Sequence, residues 1–150
     1  NDTLPAEQYT LTVDADTLLL SAADDLGFVY GLFEISRRFL GVQPFWFWND
    51  QPFTVREGEK IPVGTVVESK SYKVKYRGWF VNDETLLSHW KVERRANLPF
   101  VMAFETLLRL GGNLVIPEVR FDGYYADPDA GRNSMQRLLG AVLARRLRYA

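Results

Sequence analysis

Residues 72–84 read YKVKYRGWFVNDE. Tyr72, Val74 and Tyr76 alternate with Lys73, Lys75 and Arg77, a period of two, and Gly78-Trp79-Phe80-Val81 carries the pattern on as an apolar strand. The strand predicted over Tyr72–Val81 runs out in the polar trio Asn82-Asp83-Glu84. Further along, Phe100, Ala103, Phe104, Leu107 and Leu108 share one face of a helix predicted from about Pro99, which Gly111-Gly112 ends. Leu114-Val115-Ile116 then forms a short apolar strand. Strand, helix, strand is a βαβ unit, whose crossover sets the two strands parallel. Their carboxyl ends therefore share a rim, with Asp83 and Glu84 on one and Glu118, after Pro117, on the other.

Beyond this unit a third helix is predicted from Pro128, after Asp127. It carries Met135, Leu138, Leu139, Val142 and Leu143 inward and has the basic Arg145, Arg146 and Arg148 near its end, where they complement the helix dipole. Two parallel strands cannot cover their own faces and edges, because parallel sheets are stable when helices bury both sides. A further strand is thus expected after Ala150.

Working back from Tyr72, the stretch from Gly58 to Ser71 marks a shift in composition and the best domain boundary, giving domains 1–70 and 71–150. In the first, Tyr9, Leu11 and Val13 alternate with Thr10 and Thr12, and Leu18-Leu19-Leu20 follows Asp14-Ala15-Asp16, which predicts a β-hairpin. Ser21 or Asp24 caps a helix with Phe28, Leu32, Ile35 and Phe39 at helical spacing, and Gly41 ends it. Pro44 to Phe53 is aromatic and Arg56 to Lys60 charged, the pattern of a crossing loop or linker.

The 150 residues are 47% hydrophobic, enough for a sizeable core. Eighteen Lys and Arg against 19 Asp and Glu leave a net charge of -1, so no basic field favours nucleic acid or anionic lipid. No apolar run approaches the roughly 20 residues of a membrane span, and the start at Asn1, with neither an initiator Met nor a signal h-region, reads as a mature or trimmed product. With no Cys, disulfides, thiolate metal sites and a Cys nucleophile are excluded. The compartment stays open, an extracellular or periplasmic setting being the expectation. His89 is the single histidine, a surface or helix-cap residue by default, so multi-His metal sites are excluded and no Ser-His-Asp arrangement is supported. No phosphate-loop or dinucleotide fingerprint occurs. No metal and no cofactor is expected.

Three blocks carry a resemblance to a known family. Residues 75–84, KYRGWFVNDE, resemble the first barrel strand of glycoside hydrolase family 115, whose run is similar to YRG-x-F-x-NDE. Residues 104–117, FETLLRLGGNLVIP, resemble its first barrel helix and second strand. Residues 27–50, GFVYGLFEISRRFLGVQPFWFWND, resemble the end of its accessory domain. That last block is also similar to accessory domains of β-N-acetylhexosaminidases and other α-glucuronidases, so it is the NDE strand that narrows the family. The resemblance implies an α/β chain in which a small sheet-and-helix accessory domain is followed by the first βα units of an incomplete (β/α)8 barrel. It implies an α-glucuronidase releasing glucuronic acid or its 4-O-methyl ether from glucuronoxylan-type polysaccharide. The 150-residue chain alone is expected to be inactive, because the barrel's later strands supply other active-site groups.

Glycoside hydrolysis needs two carboxyls across the scissile bond. Asp83 and Glu84, adjacent on a strand, point to opposite faces and are not that pair. One binds sugar hydroxyls while the other orients a loop, or either caps a turn. The Asn82 amide can donate to and accept from vicinal hydroxyls. Glu118 is the other carboxylate of the shared rim, or a solvated loop acid. In the run Phe45-Trp46-Phe47-Trp48, Trp46 and Trp48 offer flat faces to pyranose C–H groups, or bury their rings between domains. Arg77 could meet a uronate carboxylate in a bidentate pair or form a structural salt bridge. No catalytic residue is assigned. The partner is carbohydrate, with self-association through exposed barrel strands, and the competing reading is a non-catalytic carbohydrate-binding or assembly module.

Overall fold

The computed structural model describes residues 4–52, 60–81, 98–117 and 148–149. The chain divides into two compact units, Asn1–Lys75 with Leu108–Gly111, and Tyr76–Leu107 with Gly112–Ala150.

The first unit opens with the expected hairpin. Strands β1 (Tyr9–Val13) and β2 (Leu18–Ala22) pair antiparallel with Leu11 opposite Leu20. The Asp14 carboxylate makes the turn by accepting the N–H groups of Asp16 at 3.2 Å and Thr17 at 3.0 Å. A third strand, β3 (Val66–Glu68), pairs antiparallel with β1 on its other side, so the sheet order is β2-β1-β3. It lies within the Gly58 to Ser71 stretch, where the sequence reading expects a domain boundary and no strand. Only Val67 of its three residues is buried, and three positions are too few for a period of two to show. Backbone bonds lengthen the pairing, from Val13 N–H to the Thr65 carbonyl and from Ser69 N–H to the Tyr9 carbonyl, both at 3.0 Å.

Helix α1 (Asp25–Leu40) begins at Asp24, whose carboxylate accepts Gly27 N–H at 2.8 Å and, through its other oxygen, Glu7 N–H at 2.9 Å. Of the two predicted caps, Ser21 lies in β2 instead. Gly41, in the left-handed region at φ 75°, ends the helix as expected. The buried face differs from the predicted one. Leu26, Gly27, Tyr30 and Gly31 are buried, whereas Phe28 and Leu32 are 48% and 47% exposed. The two glycines explain the choice: a Cβ on Gly27 would lie 2.5 Å from the Gln8 carbonyl oxygen, and one on Gly31 would collide with the Leu20 side chain. At Gly27 the backbone itself approaches too closely for a larger residue and at Gly31 the Leu20 side chain fills the space, so the smallest face of the helix turns inward.

In the second unit, β4 (Gly78–Val81) and β5 (Leu114–Pro117) pair parallel, with α2 (Leu98–Arg109) between them in the chain. This is the predicted βαβ order. Phe104 and Val115 are fully buried, Met102, Ala103, Leu107 and Val81 are buried as well, and Phe100 is only half-buried. Gly112 N–H bonds the Leu107 carbonyl and Gly111 N–H the Leu108 carbonyl, the paired bonds that close a helix at a glycine. A two-residue strand β6 (Arg148–Tyr149) lies parallel to β5 on its far side. Arg148 thus belongs to a strand that begins inside the chain, earlier than the strand expected after Ala150. It satisfies backbone groups that β5 turns away from β4.

Tyr72 to Arg77 do not form the predicted first half of β4. Lys73 to Lys75 make a bend, and Val74 and Tyr76 are 59% and 56% exposed. The ladder with β5 starts at Gly78 opposite Leu114, and ahead of Leu114 the chain is turning out of α2, so the alternating residues have no strand to pair with. The third predicted helix, from Pro128 to Leu143, lies outside the described residues. No helix among the described residues is long and apolar enough to cross a membrane.

Candidate functional site

The site expected from sequence is the rim where β4 and β5 end. Gly78, Trp79, Phe80 and Val81 register with Leu114, Val115, Ile116 and Pro117, so the two strands begin and stop together. That pairing is close at its start, where a Cβ on Gly78 would collide with the Leu114 carbonyl. Val81 is buried and Phe80 is 61% exposed, the alternation of a strand with one covered face. Asn82, Asp83 and Glu84 follow Val81 in sequence and Glu118 follows Pro117. All four lie outside the described residues, as does His89.

The aromatic run lies in the first unit and is a turn. Trp46 N–H bonds the Gln43 carbonyl at 3.1 Å, and Trp48 and Asn49 N–H both bond the Phe45 carbonyl, at 2.9 and 3.1 Å. Side chains therefore fan out rather than alternate. Trp46, Phe47 and Trp48 are half-buried, and Phe47 meets both indoles edge-on, at 5.9 Å from Trp46 and 5.2 Å from Trp48. Phe45 is 41% exposed.

Two clusters went unread in the sequence. On α1, Arg37 and Arg38 both bond Glu34, Arg37 in a two-pronged pair at 2.7 and 2.9 Å. The i, i+3 and i, i+4 spacing was the available signal. Burial is the largest influence on Glu34 and opposes its charge, yet the hydrogen bonds and charges of the two arginines together hold its carboxyl below the usual range. The Glu34 bond likewise keeps Arg37 firmly protonated, against its partial burial. Beside this network the first unit has an open pocket of about 310 Å³ lined by Tyr9, Tyr30, Tyr72, Glu34, Arg37 and Arg109. Tyr30 and Tyr72 meet edge-on at 6.0 Å, and Arg109 donates to Ser36 Oγ at 3.2 Å with its guanidinium 4.5 Å from the centre of the Phe33 ring. The second cluster is Asn113 with Arg77. Asn113 Oδ1 accepts Arg77 N–H at 3.0 Å, and Asn113 N–H donates to the Arg77 carbonyl at 2.8 Å. In the sequence Asn113 was hidden behind Gly111-Gly112, which a helix stop explains by itself. Among the described residues no three His, Cys, Asp or Glu side chains gather as a metal ion would require.

A parallel strand pair with a helix between its strands is the repeating unit of α/β folds, and the comparisons with known proteins narrow it to one family. The family model described as glycosyl hydrolase family 115 matches residues 69–143, half of the chain. The chain belongs to that family. The matched range holds both the Lys75–Glu84 and Phe104–Pro117 blocks, while the Gly27–Asp50 block falls outside it. Among solved structures the chain is similar to BtGH115A, described as a family GH115 4-O-methyl-α-glucuronidase with specificity for decorated arabinogalactans, at 27% identity and a TM-score of 0.61. The likeness covers 77% of this chain and 16% of that one. No curated protein matches the chain.

Proposed function

We propose that this chain is a piece of an α-glucuronidase that releases glucuronic acid or its 4-O-methyl ether from glucuronoxylan-type polysaccharide, and that β4 and β5 are the first two strands of its (β/α)8 barrel. The observation that carries the reading is the in-register parallel pair, whose ends lead in sequence into Asn82-Asp83-Glu84 and into Glu118. In barrels of this kind the carboxyl ends of the strands bear the chemistry. Family membership and the activity named for BtGH115A support a uronosyl unit as the sugar released. In this reading Asn82, Asp83, Glu84 and Glu118 line the rim and bind sugar hydroxyls or orient the loops that do, and the catalytic carboxyl pair is completed by later strands.

The longer polypeptide should release uronic acid from glucuronoxylan. Replacing Asp83, Glu84 or Glu118 by the amide should lower kcat/KM by about tenfold or more, equivalent to ~1.4 kcal/mol of transition-state binding, without lowering the melting temperature. Release from decorated arabinogalactan but not from xylan would keep the enzyme class and replace the substrate. The isolated 150-residue chain should give no turnover. Turnover of an aryl uronide by that chain, abolished by a substitution within it, would overturn the division of labour proposed here. A second reading, a carbohydrate-binding module, draws on the exposed Phe45 and the half-exposed indoles. It requires that Trp46→Ala or Trp48→Ala release the chain from a polysaccharide-loaded gel.

A further inference from the structure

Asn113 is a polar residue at 0% exposure in a core whose other fully buried side chains include Phe104 and Val115. It sits one residue ahead of β5, and Arg77, one residue ahead of β4, is its partner. Both backbone groups of Arg77 are held: its N–H by Asn113 Oδ1 at 3.0 Å, its carbonyl by Asn113 N–H at 2.8 Å and Leu114 N–H at 3.1 Å. Two residues directly opposite in an antiparallel ladder can exchange two backbone bonds, but in a parallel ladder the bonds are slanted and reach different residues. The Asn113 amide supplies what the parallel backbone cannot, a closed two-bond ring between one residue of each strand. Such a ring exists in one register only. The strands themselves specify less. Each is four residues long, and a slip of two residues would keep every side chain on its own face.

We infer that Asn113 is a positioning residue that fixes the register of β4 against β5, and thereby makes Val81 and Pro117 leave the sheet side by side. The inference rests on the reading of those strand ends as the rim of the site. It adds that the rim is set from the opposite end of the strands, roughly 13 Å away at 3.3 Å per residue. A two-residue slip would part the two ends by roughly 7 Å, too far for residues following them to serve one sugar ring.

The chain contains no Cys, so paired cysteines can report the register without background. Phe80→Cys with Ile116→Cys joins an opposed pair, and Phe80→Cys with Leu114→Cys joins positions two residues out of step. Under mild oxidation the first pair should form its disulfide and the second should not. In the Asn113→Leu background, which keeps size and removes the acceptor, the in-register product should fall and the out-of-step product should rise. Asn113→Asp, which keeps an oxygen for the Arg77 N–H, should restore the original pattern. An Asn113→Leu chain that stays folded by circular dichroism and cross-links like the parent would overturn the inference. If Asn113→Leu does not fold, the triple variant that also carries Phe80→Cys and Ile116→Cys, refolded under mild oxidation, should form the in-register disulfide and recover the sheet. A locked Asn113→Leu chain that remains unfolded would equally overturn it, since packing rather than register would then be the residue's contribution. Cross-linking needs no substrate, so its outcome is separate from whether the enzyme acts on uronosides.

Discussion

Burial is the main reason the Tyr9 hydroxyl is pushed up to about 12 from its ordinary 10.0, with the Glu34 carboxylate and then Tyr72 adding to it and Arg37 and Arg38 pulling the other way. The folded state thus holds the Tyr9 proton more tightly than the unfolded chain. The resulting contribution to stability is complete below pH 10, and it is lost as pH rises from there through about 12. Denaturant melts at pH 9 and pH 11.5 should show a loss of stability in the parent that is smaller in Tyr9→Phe. Equal losses in both would mean that other tyrosines carry the effect. Little of this was legible in the sequence. Tyr9 was read as one apolar position of a hairpin, because a pattern of periods records which side chains face inward and says nothing of which charges α1 brings near them. Asn113 shows the same limit: a buried amide is recognised by its partner, and Arg77 is 36 residues away.

At the level of elements, the hairpin, both helices and the βαβ order were readable because each rests on a period sustained over several residues. What failed was local. Phe28 and Leu32 are spaced as a core stripe, but α1 turns Gly27 and Gly31 inward, since close approach there outweighs the burial of two larger side chains at the surface. The two glycines should answer differently to alanine. At Gly27 the new methyl meets the Gln8 backbone, which cannot step aside, and Gly27→Ala should cost on the order of 1–3 kcal/mol despite alanine's better helix propensity. At Gly31 it meets the end of the Leu20 side chain, which can change rotamer, so Gly31→Ala should be near neutral. Chemical denaturation of both variants checks the order, and a Gly31→Ala cost equal to that of Gly27→Ala would show that the helix is pinned along its whole inner face.

For the whole molecule, the carboxyl ends of β4 and β5 were reachable from sequence, and the residue at which their pairing begins was not, because Tyr72–Arg77 alternates like a strand without having one beside it. The described parallel sheet has β4 and β6 as its outer strands, and Phe80 on β4 is 61% exposed. Such an edge is a template for further pairing. Sedimentation of the isolated chain should therefore show concentration-dependent association, reduced by Phe80→Lys, and a compact monomer at high concentration would count against it. The two sheets also differ in how they meet the clock of translation. In the second unit the strands lie in the order in which they are made, β4, β5, β6, each parallel to the one before, so a nascent chain can add them one at a time to a waiting edge. The first unit cannot do this. Thr10 pairs with Glu68, so β1 must wait until β3 has been made before its second edge is covered. Until then a tethered hairpin with one bare side is what the cell has to protect.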